Sequence, residues 1–103
     1  MAYNLNYETS QIYLLIFKMP EIIIYTGRLC PYCTMAKRLL DRKGVNYSEI
    51  DVDSEPNLRQ QLMEKTKRRT VPQIYIGDRH IGGFDDLQAL DMQKQLDPLL
   101  QSS

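Results

Sequence analysis

The chain holds two cysteines, Cys30 and Cys33, with Pro31 and Tyr32 between them. Two thiols at this spacing can pair only if the backbone between them is wound. On the first turn of a helix an i, i+3 pair shares one face, and its Cα atoms come within roughly 5–6 Å, which a disulfide tolerates. Pro31 suits that turn, because the N–H it lacks would have no partner inside the helix. The first cysteine then sits where free N–H groups and the positive pole of the helix favour a thiolate, and the second lies one turn in and is more buried. A dipole contribution of up to about 2 kcal/mol raises the thiolate fraction at neutral pH from ~3 % to ~50 %. Nucleophilicity falls as acidity rises, so attack gains only a few-fold. Further acidification needs a direct N–H···S bond or a cation such as Arg28, and its benefit lies in the step where the sulfur departs. The chemistry indicated is thiol–disulfide exchange. A closed zinc site needs four ligands, and the chain offers two cysteines and the distant His80. Two inert buried cysteines would not need a helix start with proline between them. His80 reads as an ordinary strand residue rather than a ligand or base.

A strand must deliver such a pair to its helix. Ile22-Ile23-Ile24-Tyr25 is a short β-branched and aromatic run of the kind found in buried strands, and Pro20 precedes it without breaking a ladder bond. Residues 31–43 have helical spacing, with Met35, Ala36, Leu39 and Leu40 on one side and Gly44 as the stop. Val45 to Val52 reads as a second strand, which predicts a right-handed parallel βαβ unit. Asp53, Ser54 and Glu55, followed by Pro56, are expected to open a second helix whose apolar face is Leu58, Leu62 and Met63. Residues 67–70 form a basic loop. Gln73-Ile74-Tyr75-Ile76 is a third strand, Gly77-Asp78 a tight turn, and His80-Ile81-Gly82 a fourth strand antiparallel to the third. Asp85 and Asp86 are expected to cap a third helix carrying Leu87 and Leu90, with Leu96, Leu99 and Leu100 packing the tail onto the body. The order β-α-β-α-β-β-α is that of an α/β domain: a four-stranded mixed sheet with helices on both faces.

The 103 residues suffice for one domain. Thirteen basic residues balance thirteen acidic ones, which argues against nucleic acid as the main partner. No apolar run is long enough to span a bilayer. Two cysteines do not make a secreted disulfide scaffold. Residues 1–18 differ from the rest. They carry Tyr3, Tyr7 and the run Ile12-Tyr13-Leu14-Leu15-Ile16-Phe17, and their first basic residue is Lys18, the wrong order for a secretory signal. Met19 reads as the functional start of the domain at 19–103, with 1–18 an appended segment from an upstream start codon or the expression vector. The competing reading is a genuine extra strand or short helix that packs on the domain.

With these residues in hand, the sequence over about 20–100 resembles a dithiol glutaredoxin of the small bacterial type. The resemblance rests on Ile24-Tyr25-Thr26, Cys30-Pro31-Tyr32-Cys33, Thr70-Val71-Pro72-Gln73-Ile74-Tyr75-Ile76 and His80-Ile81-Gly82-Gly83-Phe84-Asp85-Asp86-Leu87, in this order and spacing. It implies a thioredoxin fold with three helices, glutathione-dependent disulfide exchange, and a cis peptide bond before Pro72. The residue physics agrees. Pro72 has no N–H and pushes Val71 into an extended conformation, so that Val71 offers its N–H and C=O to an extended ligand as an added strand would. In the family, Thr70-Val71-Pro72 pairs with the cysteinyl part of glutathione. Gly83, with Gly82, permits close backbone approach, and Asp85 and Asp86 at the next helix start would hold the γ-glutamyl end. Among Lys65, Lys67, Arg68 and Arg69, one or two would attract the glycyl carboxylate, with Arg69 next to Thr70 the chosen candidate. Tyr32 would pack on the ligand beside the sulfur, and Arg28 would supply a positive contact. Two departures stand out. Gly27 occupies a position where many relatives carry lysine, and Phe84 one where some carry an extra cysteine.

The implied mechanism has Cys30 as nucleophile and Cys33 as resolving thiol. It needs no metal and no tightly bound cofactor, and glutathione serves as cosubstrate. The implied partners are glutathione and disulfide-bearing or glutathionylated proteins, with no nucleic acid or membrane, for a cytoplasmic monomer. Two alternatives differ in class. An iron–sulfur carrier is disfavoured by Pro31, since relatives with that role generally lack proline after the first cysteine. A glutathione-independent redoxin reduced by thioredoxin reductase is disfavoured by Thr70, Val71 and Asp86.

Overall fold

A run of three isoleucines begins the sheet. Strand β1, Ile22–Thr26, buries Ile22, Ile24 and Thr26 on one face and leaves Ile23 and Tyr25 half-buried on the other. A computed structural model describes residues 19–101, so the expectations for residues 1–18 lie outside the described residues. Helix α1, Pro31–Arg42, follows with proline at its first position. Its chain reverses through Gly44, whose φ of +72° is the left-handed conformation expected of a glycine stop. Strand β2, Ser48–Asp51, then pairs parallel to β1, with Ile23 opposite Ser48 and Tyr25 opposite Ile50. It is shorter than the predicted Val45–Val52. Val45 and Tyr47 instead pack against the apolar core from outside the ladder.

Helix α2, Leu58–Thr66, starts later than predicted. Asp53, Ser54, Glu55 and Pro56 do not open it. The Ser54 N–H and hydroxyl both donate to the Asp51 carbonyl, tying this stretch into a turn. A residue before proline also avoids the helical region. The chain enters α2 through Asn57 at φ +75°. Strand β3, Gln73–Ile76, is antiparallel to β1, and strand β4, Arg79–Gly82, is antiparallel to β3, giving the sheet order β2-β1-β3-β4. Helix α3 spans Phe84–Met92. The tail, expected only to pack back, forms a short helix α4, Leu96–Gln101, so the described residues hold four helices rather than three. Lys43 ties these ends together: its ammonium meets Asp91 at 2.6 Å and Asp97 at 2.8 Å.

The two faces of the sheet differ. Ile22, Ile24, Ile74 and Ile76 join Ala36, Leu39 and Leu40 of α1 and Phe84 and Leu87 of α3 in one apolar core, closed by Leu96 and Leu100. Burying each such aliphatic side chain is worth roughly 1.5–3 kcal/mol. The opposite face carries Tyr25, Gln73 and Tyr75 under α2, whose Lys65 ammonium stands 4.2 Å from the centre of the Tyr75 ring. The apolar core therefore fixes β1, α1 and α3 as a rigid frame, and the loops at the end of β1 and the start of β3 meet at its rim.

Candidate active site

Cys30 is the N-cap of α1, with extended backbone angles, and its own sulfur accepts the N–H of Cys33 at 3.1 Å. A bond of this kind favours a thiolate over a thiol once the disulfide is opened. Cys30 and Cys33 form a disulfide with Cα atoms 5.2 Å apart. Cys33 is buried and Cys30 half-buried, so an incoming sulfur meets Cys30 first. The Sγ of Cys30 lies 3.5 Å from the Val71 carbonyl oxygen, 41 residues away in sequence. Val71 precedes Pro72 through the expected cis peptide bond.

Beside the disulfide opens a cleft of about 260 Å³, lined by Tyr32, Thr70, Val71, Pro72, Gly83, Asp85 and Asp86, seven of the predicted binding residues, together with Arg68 and Phe84. Phe84 opens α3, is nearly buried and stacks on the exposed Tyr32, ring centres 6.3 Å apart, which welds the start of α1 to the start of α3. Asp86 caps α3 as expected, from the third position of a capping box, whereas Asp85 does not. The helix begins one residue after Gly83, and Asp86, in its first turn, reaches back to accept the Gly83 N–H at 2.9 Å. The same oxygen accepts from Arg68 at 2.9 Å. The Gly83 N–H first, and Arg68 after it, hold the Asp86 carboxyl below the usual aspartate range.

Two of the predicted binding residues do not line this cleft. Arg69 does not line the cleft; its neighbour Arg68 does, through its bond to Asp86. Of these adjacent loop arginines, Arg68 is the one with an acceptor across the cleft. Arg28 does not line it either, and its backbone N–H donates to Asp53 at 3.3 Å. Arg59 does not line the cleft either, and its place near Val71 is not evident from the sequence. Its guanidinium grips Asp53, with the shortest contact 3.0 Å, and stands where a side chain at position 27 would go: a Cβ built on Gly27 would lie 2.8 Å from Arg59 Nη2 and 3.2 Å from Val71 Cγ2. The signal was the absence of a side chain at Gly27, which leaves room for a cation from α2 beside Val71.

The architecture and the sulfur site leave one comparison to make, and a glutaredoxin family model matches residues 22–81. The chain belongs to the glutaredoxin family. A glutaredoxin of Pseudomonas aeruginosa is 52 % identical over 84 residues, covering 82 % of this chain and the whole of that protein. Glutaredoxin 3 of Escherichia coli is 48 % identical over 83 residues, again over its full length and 81 % of this chain. Among solved structures, that of a glutaredoxin from Brucella melitensis has 50 % identity and a TM-score of 0.74, covering 82 % of this chain and 91 % of that one. A buckwheat glutaredoxin–glutathione complex has 29 % identity and a TM-score of 0.73, covering 97 % and 93 %. Like its family, this glutaredoxin is a thiol–disulfide oxidoreductase built on a thioredoxin fold.

Two expected results follow from the cleft. Gly82 has φ +115°, and a Cβ there would run into the Asp86 carboxylate. Gly82→Ala should therefore strain the backbone and push Asp86 off Gly83 and Arg68, lowering stability by about 1–3 kcal/mol. Urea unfolding with an unchanged midpoint would contradict this. Asp86 also contributes to acid sensitivity. Its folded-state pKa is depressed, so its contribution is complete above roughly pH 5, where the unfolded carboxyl is ionised, and disappears as pH falls through the folded value below about 3.9. Asp86→Asn should flatten the fall in thermal midpoint between pH 5 and pH 3. A wild-type slope retained in that variant would show that the pair with Gly83 and Arg68 stabilises nothing.

Proposed function

We propose that this glutaredoxin takes its electrons from glutathione and reduces glutathionyl mixed disulfides and protein disulfides through Cys30 and Cys33. The observation that carries the reading is the cleft itself. It opens at Tyr32, between the two cysteines in sequence, passes Val71, whose carbonyl oxygen is 3.5 Å from Cys30 Sγ, and reaches a paired acid and base in Asp86 and Arg68. Glutathione is an extended tripeptide with a thiol in the middle, an ammonium and a carboxylate at its γ-glutamyl end and a carboxylate at its glycyl end. Val71 offers strand-like bonds to the middle. Asp86 suits the ammonium, and Arg68 with the free N–H groups of the first turn of α3 suits the carboxylate beside it. Arg59, next to Val71 and Gly27, supplies positive charge for the glycyl carboxylate, where many relatives carry lysine.

In the proposed cycle the Cys30 thiolate attacks the glutathione sulfur of a mixed disulfide. The old S–S bond breaks, the protein substrate leaves as a thiolate and takes a proton, and glutathione is now bonded to Cys30. A second glutathione thiolate attacks that sulfur, oxidised glutathione departs, and the Cys30 thiolate returns. With a protein disulfide, Cys30 forms the mixed disulfide and the Cys33 thiolate attacks Cys30 Sγ, releasing the reduced substrate and closing Cys30–Cys33. Two glutathiones then reopen it. We read the enzyme as a monomer acting in the cytoplasm, where the reduced glutathione pool is the electron source.

The test is a coupled assay. Turnover of a glutathionylated peptide should saturate with glutathione in the presence of glutathione reductase and be absent with thioredoxin reductase alone. The opposite pattern would overturn the reading.

A further inference from the structure

The most deeply buried polar side chain among the described residues is Gln73, which has no exposed surface. It opens β3 directly after Pro72, on the face beneath α2. A buried amide must find partners for both of its arms. Its Nε2 donates to the Thr70 carbonyl at 2.9 Å and lies 3.3 Å from the Thr70 hydroxyl. A carbonyl only accepts, so the nitrogen must face Thr70 and the oxygen must face the other way. There Oε1 meets His80 Nε2 at 2.7 Å. The amide oxygen is also only an acceptor, so His80 carries its proton on Nε2. The His80 ring is held in turn by stacking on Tyr75, its register partner across the β3–β4 ladder, at 4.9 Å between centres.

The chain of bonds therefore runs from β4 through the buried amide to Thr70. Thr70 and Val71 line the cleft, whereas neither Gln73 nor His80 does. Segment 70–72 precedes the first ladder pair of β3, Gln73 opposite Tyr25, so side chains rather than sheet bonds hold its back. We propose that Gln73 and His80 are positioning residues: they fix Thr70, and with it the Val71 backbone, at the distance from Cys30 at which a glutathionyl ligand can bridge the two. The inference deepens the glutathione reading and rests on it for its functional arm.

His80→Phe keeps a ring against Tyr75 and removes the N–H. Backbone order parameters of Thr70 and Val71, measured by NMR relaxation, should fall from the rigid value of about 0.85 towards 0.6 or below, while those of β1 and α1 stay unchanged. The KM for a glutathionylated peptide should rise about five- to tenfold, the size of one net hydrogen bond, with kcat within about twofold. Gln73→Leu should have at least the same effect, and His80→Phe added to it should change nothing more, because both act along one path. Unmoved order parameters in His80→Phe, loosening of the whole molecule in step, or additive effects in the double variant would each overturn the relay. The relaxation measurement involves no glutathione. Local loosening in a protein without glutathione-dependent turnover would support the relay and sink the glutathione reading, and rigid variants of a glutathione-dependent enzyme would do the reverse.

Discussion

Cys30→Ser should abolish turnover, lowering the rate with a glutathionylated peptide at least about 1,000-fold, as loss of a nucleophile does in enzymes that form covalent intermediates. Of the two cysteines only this one is half-exposed, and its sulfur accepts an N–H at the head of α1. A serine hydroxyl there would stay protonated at neutral pH and could not take up the glutathionyl group. The loss should appear in kcat in a protein that still folds, since serine is itself a favoured helix cap. A variant retaining a tenth of wild-type activity would remove Cys30 from its assigned role.

Cys33→Ser should divide the two activities. Removal of glutathione from a mixed disulfide needs only Cys30 and an outside thiol, so it should stay within about threefold of wild type. Reduction of a protein disulfide leaves the substrate bonded to Cys30. In the native enzyme Cys33 is one helical turn away, with Cα atoms 5.2 Å apart. Even a modest effective concentration of about 1 M for such a neighbour exceeds millimolar glutathione by about 1,000-fold. Protein-disulfide reduction should thus fall by about 100-fold or more, and the mixed disulfide should accumulate to a level visible by mass spectrometry. Equal losses in both activities would mean that Cys33 does more than resolve the intermediate.

Much of this site is legible in the sequence, because its signals are local. Cys30, Pro31 and Cys33 dictate a helix start, Pro72 dictates the extended presentation of Val71, and Gly44 stops α1 where expected. The apolar runs of β1 and β3 mark the core strands. What escaped was set by partners distant in sequence. The later start of α2 follows from Ser54 bonding back to Asp51, a local competition that the acidic residues at 53 and 55 disguised as a helix cap. Arg68 is distinguished from Arg69 only by Asp86, 18 residues on. Arg59 comes close to Val71 because Gly27, 32 residues earlier, has no side chain to keep it out. His80 lies in a strand as expected, but its bond to the buried amide of Gln73 is visible only once β3 and β4 are paired.

The placement of Cys30 as the cap of its own helix has a thermodynamic corollary. A thiolate is a stronger acceptor for the Cys33 N–H than a disulfide sulfur, so α1 is better terminated after the bond between the cysteines has been opened. Folding and reduction form a closed cycle, and any free energy that the cap adds to the folded dithiol must reappear as electron affinity of the oxidised enzyme. The first turn of α1 is therefore also the element that sets how readily this protein gives up its electrons to a client.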